Sequence, residues 1–338
     1  GDIYLAGSAA QTADGNRLAT FYILDPINGV TEALLGEGMT DVEVDRLAIA
    51  PDGTASRMIT QIDGNTVEVR NPGDFFNVSG TYQEMGARTR FFDAVMLDDM
   101  TIWGVGAVEG MMGANQGLVA QSIDGGATWT LTSTFELAAD VAAEARAVAY
   151  HAGADALVIA ALAADADMVL NWHVRAGLIA EPDTTQELET IPEGTARAVE
   201  VVGDEIYVAG DVMGVWHIRR TSAIGVDFEP FDVGGGFDAT KSTVYDLAQG
   251  PNGELVAVGT VDTEEGQTLM VARMCADPSM GMDCWQTIIA PEQMFVGEST
   301  FPRRAMINDE GLYIVGSVVD IDEEIGNEGA LFRLACPD

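Results

Sequence analysis

One short pattern recurs seven times along this chain and limits what it can fold into. An apolar alternation ends in glycine or another small residue, and in most copies Ser, Thr or Asp follows. The clear copies read Ile3-Tyr-Leu-Ala-Gly-Ser8, Ile102-Trp-Gly-Val-Gly-Ala107, Leu157-Val-Ile-Ala-Ala-Leu162, Ile206-Tyr-Val-Ala-Gly-Asp211, Leu255-Val-Ala-Val-Gly-Thr260 and Leu312-Tyr-Ile-Val-Gly-Ser317. A degenerate copy starts near Ala55, after the turn Pro51-Asp52-Gly53. The starts at 3, 55, 102, 157, 206, 255 and 312 are spaced by 52, 47, 55, 49, 49 and 57 residues. That period fits a unit of four strands and not a pair of helices.

The flanking segments complete the unit. A strand precedes the motif, as in Arg197 to Val202, and a Gly/Asp/Asn turn joins the two. Another follows, as in Val215 to Arg219, and a fourth reads Val226 to Phe231. These are strands a, b, c and d, from the centre outward. Period-two alternation, β-branched residues and turn glycines all favour strand. The expected fold is all-β: a seven-bladed β-propeller of four-stranded antiparallel blades, in one domain spanning 1–338. The alternative is six blades and an irregular one. The stretch Glu136 to Ala145 is the one helix candidate, in a blade-to-blade connection. The first repeat begins at strand b and the last stops after c, so the native chain is expected to extend beyond both ends.

Charge narrows the partners. There are 54 acidic residues against 16 basic ones, a formal net charge of −38. Such a surface repels nucleic acid and anionic membranes. No run of about 18 apolar residues exists, so no transmembrane segment is expected.

The most specific short motif is Ser122-Ile-Asp124-Gly-Gly126-Ala-Thr128-Trp129 at a c-to-d turn. It fits the Asp-box pattern Ser-x-Asp-x-Gly-x-Thr-Trp. Its chemistry is structural, with side chains bonding turn amides, glycine permitting positive φ and Trp packing between blades. With this box the chain resembles BNR/sialidase-like propellers. Its wider repeat resembles bacterial seven-bladed and delta-60-type propeller repeats, best over Glu205 to Arg220 and Gly311 to Leu334. The resemblance implies secreted, periplasmic or surface-anchored bacterial proteins, few with a defined activity.

Of the three cysteines, Cys275 and Cys284 flank what reads as a hairpin tip, and a disulfide between them would fit an oxidising compartment. The alternative is two unpaired thiols.

A basic residue stands at or just before the start of each strand a: Arg46, Arg90, Arg146, Arg197, Lys241 and Arg304. In a propeller these would gather at one mouth of the channel and hold a carboxylate or phosphate. The other reading is that each pairs with a nearby acid and clamps blades together. The b-to-c loops on that face are acidic. Asp320, Asp322 and Glu324 stand at alternate positions, a weak pattern for calcium. Trp172-His173 and Trp216-His217 occupy equivalent places in strand c. No nucleophile elbow and no metal-binding helix motif is present.

The leading functional expectation is a non-catalytic extracellular or surface propeller that binds a protein or glycan through its loop-rich face. The first alternative is a sialidase-type glycoside hydrolase using Arg146, Arg197, Arg304 and Tyr245. The second is a scaffold or assembly subunit of a surface complex.

Overall fold

The computed structural model describes residues 3–11, 17–25, 29–35, 42–51, 55–62, 65–71, 74–84, 86–181, 183–237, 241–264, 266–289, 298–308, 311–320 and 328–334. These described residues form seven antiparallel sheets, one for each repeat, and in every sheet the strands are paired in chain order. Sheet I has three strands, Ile3–Gln11, Arg17–Asp25 and Gly29–Leu35. Sheet II runs Val42–Ile49, Ser56–Ile62, Thr66–Asn71, Asp74–Tyr82. Sheet III runs Thr89–Met96, Ile102–Glu109, Asn115–Ser122, Thr130–Phe135. Sheet IV runs Ala143–His151, Ala156–Ala164, Leu170–Leu178, Gln186–Pro192. Sheet V runs Gly194–Val202, Glu205–Val212, Val215–Thr221, Glu229–Val233. Sheet VI runs Lys241–Gln249, Leu255–Asp262, Thr268–Cys275, Trp285–Ile289. Sheet VII has three strands, Glu298–Asn308, Gly311–Asp320 and Glu328–Leu334. Sheet I therefore consists of b, c and d, and sheet VII of a, b and c, as the repeat phase predicts.

The chain divides into two compact units. One comprises Gly1–Tyr150, Ala163–Met168 and Glu181–Thr184, and the other His151–Leu162, Val169–Ala180 and Thr185–Asp338. In the first, Ile59, Val69, Phe91, Met96 and Leu118 share a core. In the second, Tyr207, Trp216, Phe231, Val244, Leu255 and Val271 share another. Strand b is the most buried element. Every residue of Ala156–Ala164 is buried, which explains its unbroken apolar run. Strand d is the wettest, as Gln186–Pro192 illustrates.

The repeat glycine has a geometric cause. Strand a carries a β-bulge in sheets II, III, V, VI and VII, where its register against strand b shifts by one residue. The motif glycine of strand b lies opposite that shift. A Cβ on Gly106 would sit 1.8 Å from Arg90 O, one on Gly210 1.9 Å from Thr195 O, one on Gly259 2.0 Å from Thr243 O and one on Gly316 2.2 Å from Phe301 O. The bulge drives a carbonyl into the space a side chain would fill, so glycine recurs there. Sheet II accommodates Thr60 opposite its own shift, in the degenerate repeat.

One local expectation is corrected. Residues 136–142 form bends and a turn, and strand a of sheet IV already begins at Ala143, so Glu136 to Ala145 is not a helix. Alanine composition favoured helix there, but burial of Ala143, Ala145 and Ala147 on one strand face wins. The segment between Cys275 and Cys284 is a hairpin tip as expected, joining the paired strands Thr268–Cys275 and Trp285–Ile289. Pro278–Cys284 forms 3-10 turns, capped by Asp277, whose side chain accepts from Ser279 N.

Candidate functional site

The strand-a bulge aims side chains as well as carbonyls. The residues skipped in register include Phe92, Arg197, Tyr245 and Arg303. In the first unit, the Arg90 and Arg146 guanidinium carbons lie 5.2 and 4.4 Å from the Phe92 ring centroid. Arg146 is also ion-paired with Glu144. In the second unit, Arg197 stands 5.3 Å from the Tyr245 ring and 3.5 Å from Asp211. Each ring gains cation–π attraction from the guanidinium it faces.

The residue after the bulge is aspartate in sheets III and VI, and both aspartates join neighbouring sheets. Asp93 Oδ2 accepts the Val148 amide of sheet IV at 2.9 Å, and Asp93 Oδ1 lies 2.7 Å from Arg46 of sheet II. Asp246 Oδ2 accepts the Ala305 amide of sheet VII at 2.8 Å, and its Oδ1 lies 3.5 Å from Arg304. One carboxylate thus satisfies a backbone donor and an arginine together. Sequence reading missed both. Their signal is a repeated aromatic–Asp pair, Phe92-Asp93 and Tyr245-Asp246.

Of the six basic candidates, Arg46, Arg146, Arg197 and Arg304 therefore face carboxylates, Arg90 faces Phe92, and Lys241 is exposed at the start of its strand. Asp320 ends strand b of sheet VII, while Asp322 and Glu324 lie outside the described residues. Among the described residues, no group of three or more His, Cys, Asp or Glu is placed to hold a metal ion.

Farther out, strand c of one sheet is tied to strand d of the one before it. Arg219 Nε donates to Glu189 Oε1 at 2.8 Å, joining sheet V to sheet IV. Arg273 of sheet VI is ion-paired with Asp232 of sheet V, which also accepts the Trp216 indole N–H at 2.9 Å. Burial raises the carboxyl pKa of Asp232, and Arg273 opposes that shift. His173 is buried too. Its Nδ1 faces Thr190 Oγ1 at 2.9 Å and its Nε2 faces Arg175 Nη1 at 3.1 Å. Because an arginine can only donate, Nε2 accepts and Nδ1 carries the proton.

The Ser122–Trp129 turn closes on itself. Ser122 Oγ donates to Asp124 Oδ1 at 2.8 Å and accepts from Gly126 N at 2.9 Å. Asp124 accepts from Thr128 N at 2.8 Å and from Thr128 Oγ1 at 2.6 Å. The Thr128 hydroxyl and amide, with Ser122, hold the Asp124 carboxyl below the usual range. Trp129 donates to Gly126 O at 3.1 Å and packs 4.9 Å from the Phe91 ring. Arg57 of sheet II reaches Gly125 O at 2.8 Å, so the turn fastens sheet III to sheet II. Cys275 and Cys284 form a disulfide, with Cα atoms 4.8 Å apart.

Sheet count, strand order and inter-sheet packing within each unit define the class: this is an all-β chain of the β-propeller type. Solved structures share the fold. A periplasmic gluconolactonase from Pseudomonas aeruginosa superposes with a TM-score of 0.60 at 12% identity, covering 99% of this chain and 100% of that one. A puromycin-hydrolyzing peptidase from Mycobacterium tuberculosis gives 0.56 at 14% identity over 98% of this chain and 51% of its own. An acylaminoacyl peptidase from Pyrococcus horikoshii gives 0.56 at 11% identity over 98% and 49%. The chain thus spans about half the length of either peptidase. No family profile and no curated protein sequence matches the chain.

Proposed function

We propose that this chain is a single seven-bladed propeller that binds a protein or glycan partner through its loop-bearing face and carries out no catalysis. The observation that supports this reading is the use of the strand-a arginines. Arg46, Arg146, Arg197 and Arg304 are held by Asp93, Glu144, Asp211 and Asp246. Arg46 and Arg304 join neighbouring sheets, Arg197 joins strands a and b of its own sheet, and Arg146 pairs within its own strand, whereas an anion-binding funnel would need them turned toward a ligand. Lys241, exposed beside the Gly214 hairpin tip, is the basic candidate we retain for ligand contact. The Ser122–Trp129 turn is structural in the same sense.

The disulfide favours an extracytoplasmic address, secreted, periplasmic or on the bacterial surface. A sialidase reading would need Tyr245 activated by a carboxylate, and its ring instead faces the Arg197 guanidinium.

A glycan array and turnover assays test the reading together. The expected result is saturable binding with no hydrolysis of gluconolactone or a fluorogenic sialoside. Turnover of either substrate overturns it. Recovery of a stoichiometric multisubunit complex from the native envelope would favour the scaffold reading.

A further inference from the structure

Two neighbouring b-to-c hairpin tips put methionine into water. Met111 and Met112 cap the hairpin of sheet III at 105% and 76% exposure, and Met168 caps that of sheet IV at 70%. Methionines of the same unit that serve the core are closed off, with Met58 at 0% and Met96 at 1%. The exposed ones are not loose side chains on a frayed loop. Gly110 N donates to Ala114 O at 2.7 Å and Gly113 N to Gly110 O at 2.9 Å, which fixes the first tip. Met168 N donates to Asp165 O at 3.0 Å, and Met168 itself holds φ 63°, a left-handed turn.

The feet of the two hairpins are linked through Ala142 and Glu144 within one compact unit. Asn115 Nδ2, at the foot of the first hairpin, donates to Glu144 Oε1 at 3.2 Å. Ala164 N, at the foot of the second, donates to Ala142 O at 2.8 Å, two residues before Glu144. Acids flank both tips: Glu109 beside the first, Asp165 and Asp167 in the second. The surface therefore offers adaptable thioether side chains inside a negative rim, on a chain whose formal net charge is −38.

We propose that these paired tips dock a cationic, apolar-rich polypeptide segment of a partner protein. The inference rests on the binding-propeller reading above and names its partner's chemistry. Methionine surfaces repack around varied apolar side chains, and the acidic rim selects lysine or arginine beside them. A neutral glycan uses neither feature, and an anionic lipid surface is repelled by the rim.

The test uses the full chain and two synthetic peptides of about 20 residues with equal positive charge, one of lysine and leucine and one of lysine and serine. Calorimetry at near-physiological salt measures both. The expected result is binding of the lysine–leucine peptide at least about tenfold tighter than the lysine–serine peptide. The triple variant Met111→Ser, Met112→Ser, Met168→Ser loses that preference with an unchanged melting temperature. Methyl resonances of these three methionines shift on titration, while those of Met58 and Met96 do not. Equal affinity for both peptides, or an unaffected triple variant, overturns the proposal. Saturable binding on the glycan array with no peptide preference removes this proposal and leaves the binding reading standing. Lactone or sialoside turnover removes that reading instead.

Discussion

Asp232 accepts the indole N–H of Trp216 at 2.9 Å within sheet V, using the oxygen that also meets Arg273 of sheet VI. All three side chains are buried. Removing the carboxylate would leave a guanidinium without its charge partner in the core of this unit. Asp232→Ala is expected to cost about 3–5 kcal/mol, read as a drop in denaturant midpoint. Asp232→Asn keeps an acceptor for Trp216 and should cost less. Equal losses for the two variants would show that the charge is unimportant.

The close approach behind the repeat glycine predicts a second outcome. Gly210→Ala forces the Thr195 carbonyl, 1.9 Å from the new Cβ, to move. The strain should cost roughly 1–3 kcal/mol, with a similar loss for Gly316→Ala. Gly203→Ala, where a Cβ meets nothing within 4 Å but φ is 65°, isolates the separate cost of a left-handed backbone. Thermal unfolding of the three variants checks the comparison.

Acid should weaken the protein through two histidines of strand c, His173 and His217. Burial, with Arg175 second, pushes His173 down from 6.5 to about 4, and burial with Arg219 does the same to His217. Between those two values the unfolded chain binds protons that the native chain refuses. Their stabilisation is therefore whole above about pH 6.5 and is lost as the pH falls toward 4. For His173, whose side chain is 0% exposed, this is worth on the order of 3 kcal/mol. Protonating carboxylates relieves repulsion over the same range, so the informative quantity is a difference. The gap between native protein and His173→Gln should narrow from pH 7 to pH 4.5. A constant gap would place its contribution elsewhere.

Reduction of the Cys275–Cys284 disulfide frees a short loop only. The loss should be roughly 2–3 kcal/mol. Cys275→Ser with Cys284→Ser should keep the far-ultraviolet dichroism of the parent while lowering its melting temperature. Loss of the sheet signal would mean that the bridge holds far more than its own loop.

The strands were legible because each b strand is an apolar run closed by a small residue, and the period placed all seven within about a residue of where they begin. What produces the glycine was not legible. A bulge is a relation between two strands, and neither strand alone records the missing register step. Asp93 and Asp246 were hidden for a related reason. Among 54 acidic residues a carboxylate that accepts a neighbour's amide looks like any other. The six basic residues stand on strand a, and Glu144, two residues from Arg146, is a partner that chain spacing does convey; Asp93, Asp211 and Asp246 sit one sheet away or across a hairpin, distances that spacing along a chain cannot convey. The connection after Glu136 misled because alanine content reports local preference, and burial against neighbouring strands decides the outcome.

The two aspartate stitches have a kinetic meaning. The amides of Val148 and Ala305 are committed to carboxylates of another sheet, so neither reaches water merely by fraying its own strand. Each meets solvent when two sheets part. Their hydrogen-exchange rates would therefore act as paired clocks, one in each compact unit, timing how often adjoining sheets come unfastened.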